Sequence, residues 1–407
     1  MKRRNFLTKA GLATAGMLIP VGLNSCVALG NAQTNQPKRL VVIFLRGAID
    51  GLNTVVPHQE RDYYEARPTI ALPYPQEPGG VIDLDGFFGL HPLLADLMPL
   101  WKQKQLAFIH ASGSPVNERS HFQAQDYMES GTPGTKDTQD GWMNRLLAEL
   151  PQKSRPTQAL NVGVTTPYIL KGKMNVANLK PGKNSTAPKV TDRPQFNQAF
   201  DKLYNGTDEL SKAYQNGRKA REEVIAELNS EMISSSRGAK NVNAFVDDAA
   251  EVARLMVGNT RTQLAFMDIG GWDTHINQLN IHERLLPHLS KGLLTLVKGL
   301  EPILFDTTIV VMSEFGRTVK ENGNQGTDHG HGNVMWLLGD NIRGGQVYGE
   351  WLGLNQAQLH EGRDLPITTD FREPIAEILQ QHLALSDGSL QRIFPNYQPT
   401  NKLDFLV

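Results

Sequence analysis

A mostly parallel β-sheet with helices on both faces is the fold this 407-residue chain predicts. Three observations carry it. Apolar runs of strand length are rich in β-branched residues, segments of helical spacing lie between them, and glycine or polar punctuation ends each run. The length suits one large α/β domain or two smaller ones, with ample chain for a core.

The elements follow in order. RLVVIFL (39–45) reads as a buried parallel strand and exits into the glycine-punctuated RGAIDGLN. LHPLLADLMPLWKQKQ (90–105) has helical spacing, and LAFIHA (106–111) reads as the second strand. NERSHFQAQDYMESG (117–131) has a polar entry, a helix-compatible body and a glycine stop. ALNVGV (159–164) is the third strand expected. Residues 166–200 are rich in Pro, Gly, Lys and Asn and predict loops, whereas 207–257 reads as helical. Together they make a loop and helical insertion around 166–257 within a single domain, 39–407. TQLAFMDIGG (262–271), TTIVVMSEFG (307–316) and VMWLLG (334–339) supply three more strands. Helices are expected from about Leu279 to Leu300 and over 371–383.

The amino terminus reads as an address. MKRRNFLTKA pairs Arg3 with Arg4, and the apolar run AGLATAGMLIPVGL follows. This predicts a twin-arginine export signal over 1–32 and a linker over 33–38. The run is too short and glycine-broken to span a membrane. Gly30-Asn31-Ala32 offers a cleavage site, and Leu23-Asn24-Ser25-Cys26 is an imperfect lipobox. The expectation is therefore a periplasmic protein, soluble or lipid-anchored, with the twin-arginine translocase as its partner during export. Membrane contact is expected only if Cys26 carries a lipid. Cys26 is the single cysteine, so the mature body has no disulfide, thiolate metal site or cysteine nucleophile. A net charge of −1 argues against a broad nucleic-acid footprint.

In sheets of this kind ligands collect where strands end. Asp50 follows the first strand, Asp273 the fourth and Glu314 the fifth. Four clusters carry chemistry: Arg46 and Asp50 in RGAIDGLN; Ser120-His121 in ERSHF; Asp273 and His275 in GGWDTH; and Glu314 and Arg317 in SEFGRT, together with Asp328, His329 and His331 in GTDHGHGN. That last loop holds an acid and two imidazoles between glycines, with no apolar face to pack, as though on a pliable support. Asp, Glu and His together suit one or two divalent ions: Zn, Mn, Fe, Mg or Ca. A serine at a helix start, ionised by such a cation, could attack phosphorus or sulfur, with Arg46 or Arg317 steadying the charged oxygens. Each feature has a plainer counterpart. Asp50 could be a turn residue, Ser120 a helix cap, Asp273-His275 a local hydrogen bond, and Glu314/Arg317 a surface ion pair. His282, His288 and His382, on helical stretches, read as surface residues.

The motifs LRGAIDGLNTVVP, FGLHPLL, NERSHF, GGWDTH, SEFGRT and GTDHGHGN, after the twin-arginine start, resemble in their order a large exported bacterial family. It is catalogued as domain of unknown function fifteen-oh-one and grouped with the alkaline phosphatase and sulfatase superfamily. The resemblance covers nearly the whole mature chain and implies an alkaline-phosphatase-like fold with metal at strand ends. By that resemblance Asp50-Gly51 is similar to the metal-binding Asp-Gly of cofactor-independent phosphoglycerate mutases. Ser120 resembles a nucleophile, Asp273 and His275 a metal pair, and His329 the late histidine ligand. One departure stands out: the fifth strand ends Ser-Glu-Phe, at Glu314 and Phe315, where the superfamily has Asp-His. Either Asp328-His329 replaces the missing imidazole or one metal position is vacant.

The expected function is a periplasmic metal-dependent hydrolase of phosphate or sulfate esters, acting on a small molecule or glycan. The alternative is a non-catalytic envelope binding protein on the same fold with a structural or vestigial metal site. A metal-free Ser-His-Asp hydrolase ranks last, because no Gly-x-Ser-x-Gly surrounds Ser120.

Overall fold

The computed structural model describes residues 37–135, 138–151, 155–163, 165–179, 204, 206–217, 219, 244–259, 261–400 and 402–407. The expected export signal, most of the expected linker and much of the expected 166–257 insertion lie outside the described residues. Residues 37–407 form one compact unit.

The main sheet holds β1 (Arg39–Leu45), β2 (Leu106–Gly113), β3 (Ala159–Val162), β4 (Ala177–Leu179), β5 (Leu264–Ile269), β6 (Thr307–Met312), β7 (Asn333–Leu338), β8 (Val347–Tyr348) and β9 (Thr369–Asp370). Its order is β8-β2-β7-β6-β1-β5-β3-β4, with β9 also paired to β2. From β6 across to β4 every pairing is parallel, whereas β7 runs antiparallel to both of its neighbours. The mostly parallel sheet expected from sequence is therefore what forms.

Strand alternation builds two cores. Val41, Ile43 and Leu45 of β1 join a cluster with α3 (Ala244–Gly258) and α4 (Gln278–Gly299) through Val252, Met256, Leu289 and Leu293. Leu40, Val42 and Phe44 face the other way, toward Trp142, Leu146 and Leu147 of α2 (Trp142–Glu149) and toward Ile375, Leu379 and Phe394. All of β1 is buried, as the unbroken apolar run requires. Two of the histidines expected at the surface are instead interior: His282 is 0% and His382 7% exposed. His282 packs against His91, ring centroids 5.9 Å apart, and His382 bonds Asn341 and the Arg39 carbonyl, contacts that a polar-looking ring does not reveal in sequence.

The segment 90–105 is less regular than its spacing suggests. A tight turn of 3₁₀ helix (Pro92–Leu97) hands over to five α-helical residues (Met98–Lys102), with Pro92 and Pro99 at the two starts. Among the described residues no helix is long and apolar enough to cross a membrane.

Candidate metal centre

The parallel strands β1, β5 and β6 deliver residues from their carboxyl ends: Arg46 to Asp50, Asp273 to His275, and Glu314 to Arg317. Strand β2 points the same way, and α1 (His121–Ser130) follows it. Because β7 runs in reverse, the loop that enters it, 326–332, reaches that same edge. Five chain segments thus converge where a ligand would sit.

Three imidazoles meet one carboxylate there. The Asp273 Oδ1 atom lies 3.1 Å from His275 Nε2, 3.5 Å from His329 Nε2 and 3.5 Å from His121 Nε2. The His275 and His329 Nε2 atoms are 3.0 Å apart. Each ring is fixed from behind through Nδ1. His121 Nδ1 lies 2.8 Å from Glu314 Oε1, His275 Nδ1 3.0 Å from Asp328 Oδ1, and His329 Nδ1 2.8 Å from the Arg119 carbonyl. A carboxylate or carbonyl can only accept, so each Nδ1 carries its hydrogen and each Nε2 turns inward as the lone-pair side. Two such nitrogens at 3.0 Å repel unless a proton or a cation lies between them. The His121 Nε2 atom is buried without a hydrogen-bond partner. Imidazoles oriented by outer acceptors around a shared centre are the usual arrangement of histidine metal ligands.

Electrostatics agree with the geometry. Burial pushes the Asp273 carboxyl upward, but the Arg317 bond and charge, with His275 and His121 nearby, more than reverse this and hold it ionised. The bond to Glu314 raises His121, opposed by burial. Burial, then the neighbouring His121 and Arg317, lower His329, which keeps its ring neutral and its lone pair available.

The sequence-predicted residues divide accordingly. Asp273, His275 and His329 come together, joined by His121, which had been noted only as the neighbour of Ser120. Asp50 does not join them. It is fully buried, with Oδ2 bonded to Arg67 and Gln278 and Oδ1 to Arg67 and the Leu52 amide, so all its acceptor capacity is used. Glu314 stands one layer out. Its Oε1 accepts from His121, Gln125 and the Gly47 amide, and Oε2 from Ser313. Asp328 is likewise an outer acceptor for His275 and Asn322. His331 faces away and stacks on His360 at 4.5 Å. Burial, with His360 beside it, lowers its pKa to about 4.

Neither arginine is free to clamp an oxyanion. Arg46 bonds Asp268, Gln125 and Glu129. Arg317, 1% exposed, donates to the carbonyls of Gly47, Ala48, Trp272 and Thr327 as well as to Asp273, and so ties three loops together. Ser120 occupies the N-cap position of α1, is exposed, and makes no capping bond. It is tethered to the centre from both sides, by His121 and by the Arg119 carbonyl that holds His329.

The loop 326–333 is not pliable. Gly330 N–H donates to Gly316 and Gly316 N–H to His331, while Thr318 N–H donates to Asp328. A Cβ on Gly316 would fall 1.8 Å from the Gly332 carbonyl oxygen, and one on Gly330 2.4 Å from the Arg317 carbonyl carbon. The glycines allow two backbones to touch, and that contact fixes His329.

Residues 37–394 match the family described as protein of unknown function (DUF1501). The chain belongs to that family. No curated protein sequence matches it. Among solved structures it is similar to the C-terminal periplasmic domain of EcEptC from Escherichia coli in complex with Zn, at 11% identity and TM-score 0.36, covering 75% of this chain and 73% of that one. It is also similar to a protein in the alkaline phosphatase superfamily from Vibrio parahaemolyticus, at 12% identity and TM-score 0.33, covering 77% and 63%. A third similarity is to the alkaline phosphatase of the Antarctic bacterium TAB5, at 10% identity and TM-score 0.32, covering 89% and 100%.

Proposed function

We propose that this DUF1501 protein is a periplasmic, metal-dependent hydrolase of phosphate or sulfate esters, exported by the twin-arginine route. One observation carries the reading: three imidazole Nε2 atoms gather about Asp273 Oδ1, each ring locked through Nδ1. Asp273, His275 and His329 would hold the ion, with His121 beside them. So nitrogen-rich a set suits Zn, Mn or Fe better than Mg or Ca, which favour oxygen. When bound, such an ion polarises an ester oxygen and eases loss of a proton from a nearby hydroxyl.

Ser120 would be the attacking residue. It is exposed, its side chain is not used to cap α1, and both of its chain neighbours are bonded into the centre. Arg46 and Arg317 would serve by holding loops and carboxylates in position. The substrate is a small-molecule or glycan ester, and a soluble periplasmic form is preferred over a lipid anchor at Cys26.

The test uses metal-reconstituted protein with an aryl phosphate and an aryl sulfate. Ser120→Ala is expected to lower turnover at least a hundredfold with metal content unchanged. Retained turnover would take Ser120 out of the nucleophile role.

A second reading has its own support. Four protein side chains converge; a fifth coordination position keeps the hydrolase reading open, whereas a strictly tetrahedral ion held by all four leaves no position for a substrate. A non-catalytic envelope protein with a structural metal would then bind metal yet hydrolyse neither ester.

A further inference from the structure

We propose that this centre holds a single divalent transition-metal ion, with His121 as its fourth protein ligand beside Asp273, His275 and His329. The inference rests on the metal-centre reading above and adds to it the number of ions and the role of His121.

Spacing is the first argument. Ligand atoms ~2.1 Å from one ion at tetrahedral angles lie roughly 3.4 Å from each other. Four of the six inter-ligand distances here run from 3.0 to 3.5 Å. His121 is as far from Asp273 Oδ1 as His329 is, and His121, Asp273 and His329 together offer three ligand atoms all within 4.8 Å of one another. The buried, unpartnered His121 Nε2 is the atom a cation would satisfy.

The second argument concerns what a second ion would need. It would require further carboxylates or imidazoles at the same strand ends, and those present are engaged. Asp50 is enclosed by Arg67 and Gln278 and Glu314 by three donors on one oxygen and Ser313 on the other, while Asp328 is exposed and already uses Oδ1 on His275 and Asn322. The Arg317 guanidinium stands 2.6 Å from Asp273 Oδ1. A fixed positive charge already occupies that side of the carboxylate, and a second cation there would be repelled.

The experiment counts ions in the full protein. Protein stripped with a chelator is reloaded with excess Mn²⁺ or Zn²⁺, desalted and assayed by elemental analysis, and its affinity is measured by calorimetric titration. One equivalent per chain is expected. His121→Ala should weaken binding at least tenfold, and Glu314→Gln, which weakens the acceptor behind His121 together with its bonds to Gln125, Gly47 and Ser313, about 10–100-fold. Melting curves of each variant keep a folding defect apart from a ligand defect. Two equivalents would overturn the single-ion assignment and leave the hydrolase reading standing. Unchanged affinity in a folded His121→Ala protein would overturn the fourth-ligand role. No binding of either ion by a folded protein would sink both readings, whereas one equivalent without ester hydrolysis would sink the hydrolase alone.

Discussion

Arg67 shows how much a single side chain can decide. It is 0% exposed and carries Asp50, Asn53 and the carbonyls of Thr318 and Val319 on its guanidinium. Burial alone would raise the Asp50 carboxyl, and the Arg67 charge and bond bring it below its ordinary value. Removing one partner of such a pair strands a buried charge. Arg67→Met is therefore expected to destabilise the fold by about 3–5 kcal/mol in urea titrations, and Arg67→Lys to recover only part, because one ammonium cannot replace the forked donors. Asp50 illustrates the limit of reading a site from sequence. An aspartate followed by glycine after a buried strand looks the same whether its oxygens meet a cation or a guanidinium, and its partner lies 17 residues further on. His121 was visible in NERSHF but sat beside a serine with the more obvious chemistry. Only the fold shows that its ring and not its neighbour's hydroxyl meets Asp273.

At the scale of elements, strands were legible because buried parallel runs are unbroken and β-branched, as β1 and β6 are, or at least begin with a buried apolar run, as β5 does. The direction of β7 was not, since an apolar run carries no sign of which way it pairs. Nor was the short three-stranded sheet of Val55–Val56, Gly89–Leu90 and Ile82–Asp83, whose two-residue strands are too short for any period to emerge. The glycine-rich loop stands out in sequence for its acid and two imidazoles, yet its stiffness depends on contacts with 316–318 that only the fold supplies. Gly316→Ala would force the Gly332 carbonyl away. It should cost about 1–3 kcal/mol and shift the His329 ring, which is measurable as a fall in both melting temperature and metal affinity. If metal affinity were unchanged in that variant, the contact would not be what aligns His329.

For the whole molecule, buried neutral histidines set a pH dependence. Burial lowers His91 to about 3 and His110, His282 and His382 to about 4, from an ordinary 6.5. Below 6.5 the unfolded chain takes up protons that the folded one refuses. The stability these rings hold is complete above that pH and lost as pH falls toward 4, each contributing up to ~1.4 kcal/mol per pH unit. Melting temperature in metal-free buffer is therefore expected to drop between pH 6.5 and 4, and His282→Gln to flatten that slope. A profile unaffected by that substitution would show that His282 is not among the rings responsible. The fold class followed from composition and periodicity because it reflects the whole chain at once. The centre depends on residues 121, 273 and 329, and no local pattern reports their convergence.

The reversed course of β7 has a further consequence. His121, Asp273 and His275 arrive on chain leaving the sheet or just beyond it, but His329 arrives on chain about to enter, past a strand that must thread between two already oriented ones. A nascent polypeptide released before that insertion would own three of four donors without the geometry to use them, so correct loading would report that folding is complete. On the proposed twin-arginine route, which carries finished proteins, the cation would then act as a seal on a closed structure.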